Sequence, residues 1–144
     1  MTQYNDYQGL ERQLAHRFAA ASYEEFTPEN IRFAKMSIMD IIGVIIAGSG
    51  LGNKCRDVAE YVRSLGGTAE STLLGYGGRY PASAAAMANG GMAHTLDYDD
   101  ASENGAHGTA SCFPAALALL ERRGGSGKDL IRCVILGDDF LERF

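Results

Sequence analysis

The residues from His94 to Pro114 read HTLDYDDASENGAHGTASCFP, and they gather much of the chain's capacity for acid–base chemistry. Asp97, Asp99 and Asp100 fall within four positions, and two of the three histidines, His94 and His107, flank them. Buried charge is costly unless paired, so such a cluster belongs to a surface or a site rather than to a core. A carboxylate beside an imidazole fixes its tautomer and favours the protonated ring. His94 and Asp97 stand three residues apart, so a helix reaching that far would place both on one face. His107 follows Gly105 and Ala106 and precedes Gly108; small residues let a loop fold tightly and let a ligand approach the backbone. Phe113-Pro114 reads as the start of the next helix, whose free amides would favour a nearby anion.

Three chemistries are open to these residues. His94, Asp97, Asp99, Asp100 and His107 supply enough donors for a divalent ion, although their spacing matches no standard zinc or EF-hand pattern. A solvated acidic loop with incidental histidines is the second reading. The third is an acid–base or anion-orienting site, and the residues alone leave its reaction open. Cys112 lies near His107, but Cys55, Cys112 and Cys133 are odd in number and far apart, without a CxxC. They read as reduced thiols of a cytoplasmic protein.

The elements that must position these groups read as helices joined by glycine-rich links. Leu10, Leu14 and Phe18 recur at helical spacing between charged residues. Thr27 caps a second helix running from about Pro28 to Ala47, with Pro at its first position. Its second half, IMDIIGVIIAG, is apolar nearly all round and implies burial on most sides; Asp40 inside it then needs a partner. Gly48-Ser49-Gly50 reads as its stop. A third helix covers Cys55 to Leu65, and Ser71–Leu74 is a strand-like link before a turn at Gly75–Gly78. That turn lacks the Lys-Ser/Thr of a phosphate loop.

A fourth helix, PASAAAMANGGMAHTL, is built of Ala and Gly. Gly90 and Gly91 cost an isolated helix roughly 1 kcal/mol each, so close packing is the expected reason for them. After a loop from Asp97 to Ser111, a fifth helix spans Phe113 to Arg123. Ser126 with Asp129 then caps a sixth in a capping-box arrangement. The pattern predicts an all-α, multi-helix bundle in one domain.

The charge is -5 with 13 basic and 18 acidic residues, and no basic stripe suggests nucleic acid. Ile41–Ala47 is far shorter than the ~20 residues of a membrane span, and MTQYNDYQGLERQ is not a secretory signal. The chain stops at LERF in mid-pattern without a C-cap glycine, which reads as a piece of a longer polypeptide.

Three segments carry a family resemblance. IMDIIGVIIAGSG looks like an early helix motif, LLGYGGRYPASAAAMANGGMAHTLDYDD resembles the approach to an acidic signature, and HGTASCFPAALALLERRGGSGKDLIRCVILGDDFLERF resembles an HPS-type loop with its two following helices. In this order and spacing they resemble the N-terminal part of the MmgE/PrpD family, which includes 2-methylcitrate dehydratase, cis-aconitate decarboxylase and iminodisuccinate epimerase. The resemblance runs from about Ile31 to Phe144; residues 28–144 form the family-like helices with the acidic, histidine-bearing loop at 94–114, and residues 1–27 read as an N-terminal helix and link. Four positions depart from the pattern: Ala101 where Thr or Ser is common, Gly108 in place of the loop proline, and Asp138-Asp139 in place of an aromatic and Glu.

The resemblance implies a cofactor-independent lyase, or an epimerase, acting on small di- or tricarboxylates as a cytoplasmic homodimer, with neither metal nor organic cofactor. It carries a catalytic role to His107 and, as its neighbour, Asp97, with His94, Asp100 and Thr109 binding or orienting substrate. Family members are several times longer, and their further catalytic lysines and histidine lie beyond the matched part. The chain alone is therefore expected to be inactive. The rival expectation is a non-catalytic helical module that dimerises or packs.

Overall fold

A computed structural model describes residues 9–103 and 105–143. The readings made on the first eight residues and on Phe144 fall outside these. Helix α1 is Leu10–Ala20, followed by a single 3-10 turn at Tyr23–Glu25; α2 is Pro28–Leu51 and α3 Cys55–Leu65. A hairpin of β1 (Ser71–Thr72) and β2 (Arg79–Tyr80) leads into α4 (Ala82–His94), α5 (Gly108–Arg123) and α6 (Gly127–Arg143). The hairpin is antiparallel, with Ser71 opposite Tyr80 and Thr72 opposite Arg79. The bundle is all-α apart from this small ribbon, as the hydrophobic periodicity predicts.

Local sequence explains most boundaries. Thr27 Oγ1 accepts from the Asn30 amide at 3.1 Å, and Pro28 sits at the first position of α2. Ser126 and Asp129 exchange backbone–side-chain bonds of 2.9 and 3.2 Å at the head of α6. Each such cap satisfies amides that the first helical turn leaves unpaired.

Helix α4 is the central element. Ala82, Ala84, Ala85, Ala88, Met92 and Ala93 are all buried, and α4 packs on α2, α3 and α5. Its alanines let the neighbouring backbones come close. Phe113 of α5, Ile41 and Ile45 of α2, Val62 of α3 and Val134 of α6 complete the fully enclosed core. Asn89, 0% exposed on α4, ties the bundle to the hairpin by accepting from the Leu74 amide at 3.0 Å and donating to the Thr72 carbonyl at 2.9 Å. Glu121 of α5 holds the same ribbon through both Ser71 and Thr72.

Four expectations are corrected. Helix α2 runs through Gly48-Ser49-Gly50 to Leu51, because Gly48 is needed inside it, against α4: a Cβ there would lie 3.0 Å from Thr95 Cγ2 and collide with the Met92 carbonyl oxygen. The close approach is thus made by Gly48 and the alanines of α4. A Cβ added at Gly90 would meet only Pro114, at 3.9 Å, and one at Gly91 would meet nothing within 4 Å, so the structure gives no packing reason for Gly91. The second half of α2 is not enclosed on most sides: Met39 is 71% and Ile46 53% exposed. Asp40 is exposed with them and so needs no buried partner. Finally, α5 begins at Gly108, five residues before Phe113, with Pro114 inside the helix.

Candidate active site

The end of α4, the segment 95–107 and the start of α5 bring the two histidines together. Helix α4 stops at His94, and Asp97 takes a left-handed backbone conformation with φ 51°. That reversal takes Asp97 off the helical face that the three-residue spacing from His94 implied. It turns Asp99 inward instead. The Asp99 side chain is 0% exposed, and His94 Nδ1 lies 3.1 Å from each of its carboxylate oxygens. His107 Nδ1 lies 3.1 Å from Asp99 Oδ2. That distance pairs them electrostatically, but the approach is off the line of a hydrogen bond, and this buried nitrogen has no hydrogen-bond partner among the described residues. The two rings meet edge to face at 4.6 Å between centroids.

Of the sequence-derived candidates, the structure unites His94, His107 and Asp97: one donor atom from each of these and from Asp99 lie within 4.8 Å of one another. Exposure differs among them. The His94 side chain is 56% exposed and that of His107 29%, so both rings reach solvent around a carboxylate that does not. The residue types offer Asp99 only as one donor of a possible metal set, not as the carboxylate that both rings meet. Its spacing of five from His94 gives no helical signal, and only the turn at Asp97 aims it inward.

Asp100 and Thr109 are engaged elsewhere. Asp100 Oδ2 accepts from the Thr109 amide at 3.2 Å and from its hydroxyl at 3.1 Å. Thr109 is 1% exposed. An anion does sit at the N-terminus of α5, as the helix dipole favours, but it is the chain's own Asp100, and it sits at the first turn from Gly108 rather than at Phe113. This clasp ties the site segment to α5 and fixes where His107 leaves the loop.

Behind the clasp, Asp138 of α6 lies 3.5 Å from Thr109 Oγ1 and accepts from Cys112 Sγ at 3.4 Å. Gly108 has no side chain where a Cβ would lie 2.8 Å from Asp138 Oδ1, so two of the positions that depart from the family pattern face each other. Burial, reinforced by the charge of Asp100, raises the Asp138 carboxyl to about 6. Burial and then Asp138 push the Cys112 thiol up, so it stays protonated and is a poor nucleophile.

A group that binds its proton more tightly when folded contributes stability below its unfolded value near 3.9, and that contribution is lost as pH rises through 6. Screening at this half-buried position trims the effect to about 1–2 kcal/mol. Urea unfolding at acid and at neutral pH is expected to show the wild type losing that much more stability than Asp138→Asn on going to neutral pH. Equal losses in the two proteins would contradict it.

Beside the site, Tyr98 and Asp100 border a groove of about 650 Å³ whose other wall is α2, from Phe33 to Ala47. Neither histidine lines it. Among the described residues no ion pair joins a lysine or arginine to Asp97, Asp99 or Asp100. No helix is long and apolar enough to cross a membrane among the described residues. The arrangement offers two imidazoles able to exchange protons with solvent or a ligand, both turned towards one buried carboxylate.

Comparison with curated proteins returns no match. The family model described as the MmgE/PrpD N-terminal domain matches residues 12–143, from α1 through the site to the end of α6. The chain therefore belongs to the MmgE/PrpD family, whose N-terminal domain it carries.

Proposed function

We propose that this chain carries the acid–base part of a cofactor-independent lyase acting on small di- or tricarboxylates, of the 2-methylcitrate dehydratase kind. The observation that carries the reading is the pairing of two imidazoles with one buried carboxylate, Asp99. Removing a proton beside a carboxylate requires a positioned base, and His107, the less exposed ring, is that base. Asp97 is its neighbour at the site. His94 orients the substrate or relays the proton. Asp100 and Thr109 act by clasping the loop to α5 rather than by touching substrate.

Proton abstraction beside a carboxylate also needs cations to hold the developing negative charge. No lysine or arginine pairs with the site's carboxylates among the described residues, so the 144 residues alone are expected not to turn over. The natural polypeptide, as a cytoplasmic homodimer, would supply those cations from elsewhere. Family membership supports this reading; decarboxylation or epimerisation beside a carboxylate would draw on the same base.

The test offers hydroxylated di- and tricarboxylates to the natural polypeptide and follows products by proton NMR. Loss of water is the expected result, and loss of carbon dioxide or inversion at a carbon would reassign the reaction within the same chemistry. No product from any of them would leave the non-catalytic helical module as the reading to adopt.

A further inference from the structure

We infer that His94, Asp97, Asp99 and His107 form a binding site for one divalent transition-metal ion of the zinc class. Three observations carry it. The donor set is two imidazoles and two carboxylates, with one atom of each within 4.8 Å of the others. Ligand bonds of about 2.0–2.2 Å put donors roughly 3.4 Å apart in a tetrahedral shell, so an inward movement of the exposed His94 and Asp97 side chains closes it. Second, the His107 Nδ1 is buried, lies 3.1 Å from Asp99 Oδ2 and makes no hydrogen bond among the described residues. An unsatisfied buried nitrogen is costly, and ligation of an ion would satisfy it.

Third, three carboxylates, Asp97, Asp99 and Asp100, meet at the site with no lysine or arginine paired with them among the described residues, and the Asp99 side chain is fully buried. A divalent cation would balance that charge. Mixed nitrogen and oxygen donors suit zinc and its neighbours better than calcium or magnesium, which take oxygen ligands. Asp100 stays outside the shell, because Thr109 occupies the Asp100 carboxylate and so steadies the loop behind the ligands.

Metal uptake and proton transfer compete for the same ring nitrogens. One consequence rests on the acid–base reading above: zinc would inhibit turnover rather than support it. Binding itself is independent of that reading and is measured without turnover.

The experiment titrates Zn²⁺ into the metal-free chain by calorimetry, with Mg²⁺ in parallel. One zinc per chain is expected, and no comparable magnesium binding. His94→Gln and His107→Gln, both at partly exposed rings, are each expected to weaken zinc at least about tenfold. His16→Gln, at the exposed histidine of α1, should leave it unchanged. Circular dichroism separates lost ligation from lost fold. Absence of binding, binding unaffected by His94→Gln and His107→Gln, or binding abolished by His16→Gln overturns the inference and leaves the acid–base reading standing. Zinc bound as expected by a polypeptide that turns over no carboxylate would sink the acid–base reading and leave the metal site standing.

Discussion

Asp99→Ala in the natural polypeptide is expected to lower turnover by about 10²-fold or more, with the fold intact. A group that orients catalytic or ligating histidines is worth roughly 10–100-fold on its own, and general acid–base catalysis about 10²–10⁴-fold. Asp99 serves two rings at once, each with its Nδ1 3.1 Å from the carboxylate. Removing it leaves both imidazoles free to rotate.

Asp99→Asn keeps the shape but discriminates further. The amide has one acceptor and one donor group where the carboxylate has two acceptors. With its oxygen at the Oδ2 place, 3.1 Å from both Nδ1 atoms, the amide would still face both rings but without the carboxylate's charge, so this variant is expected to lose less than Asp99→Ala. The checks are the steady-state rate and a thermal melt on each variant. Near wild-type turnover by Asp99→Ala would mean that the buried carboxylate is structural only.

Gly48→Ala is expected to destabilise the protein by about 2–3 kcal/mol, where helix propensity alone argues for a gain of about 1 kcal/mol. The added Cβ would collide with the Met92 carbonyl oxygen and lie 3.0 Å from Thr95 Cγ2. A backbone carbonyl cannot turn aside as a side chain can, so α2 and α4 must separate. Interiors are close-packed and transmit such a shift. Met92 lies two residues before His94, and the displacement therefore reaches the site as well as the core. Chemical denaturation measures the loss directly. A variant as stable as the wild type would show that α2 and α4 do not cross as closely as the structure has them.

What could be read from the residues in advance follows a physical divide. Thr27-Pro28, Ser126 with Asp129, and the helical spacing of Val58, Tyr61, Val62 and Leu65 are local signals, and α2, α6 and α3 begin where they indicate. The start of α5 is not local. His107 precedes it without a side-chain cap, and its first turn is held by Asp100, nine residues upstream of Thr109 in the chain. Pro114 looked like a helix start because proline suits a first turn, yet here it lies inside a helix that begins two turns earlier. The run of Gly48-Ser49-Gly50 looked like a stop for the same kind of reason, and only the approach of α4 explains why a glycine is used within α2.

The site divides in the same way. That His94, Asp97 and His107 would meet was legible from residue types and from the small residues between them. Which of three closely spaced aspartates turns inward was not, because it depends on the left-handed turn at Asp97. A helical continuation would have chosen Asp97; the turn chooses Asp99. Thr109 likewise looked available to a substrate, and it is buried in a bond to Asp100 because α5 starts before it.

The central claim is that His107 moves a proton at a carbon beside a carboxylate. The most direct measurement incubates the natural polypeptide and its His107→Ala variant with di- and tricarboxylates in D₂O and follows deuterium at that carbon. Incorporation by the wild type is expected, with a loss of about 10²–10⁴-fold in the variant. Equal incorporation by both proteins, or none by the wild type, would contradict it.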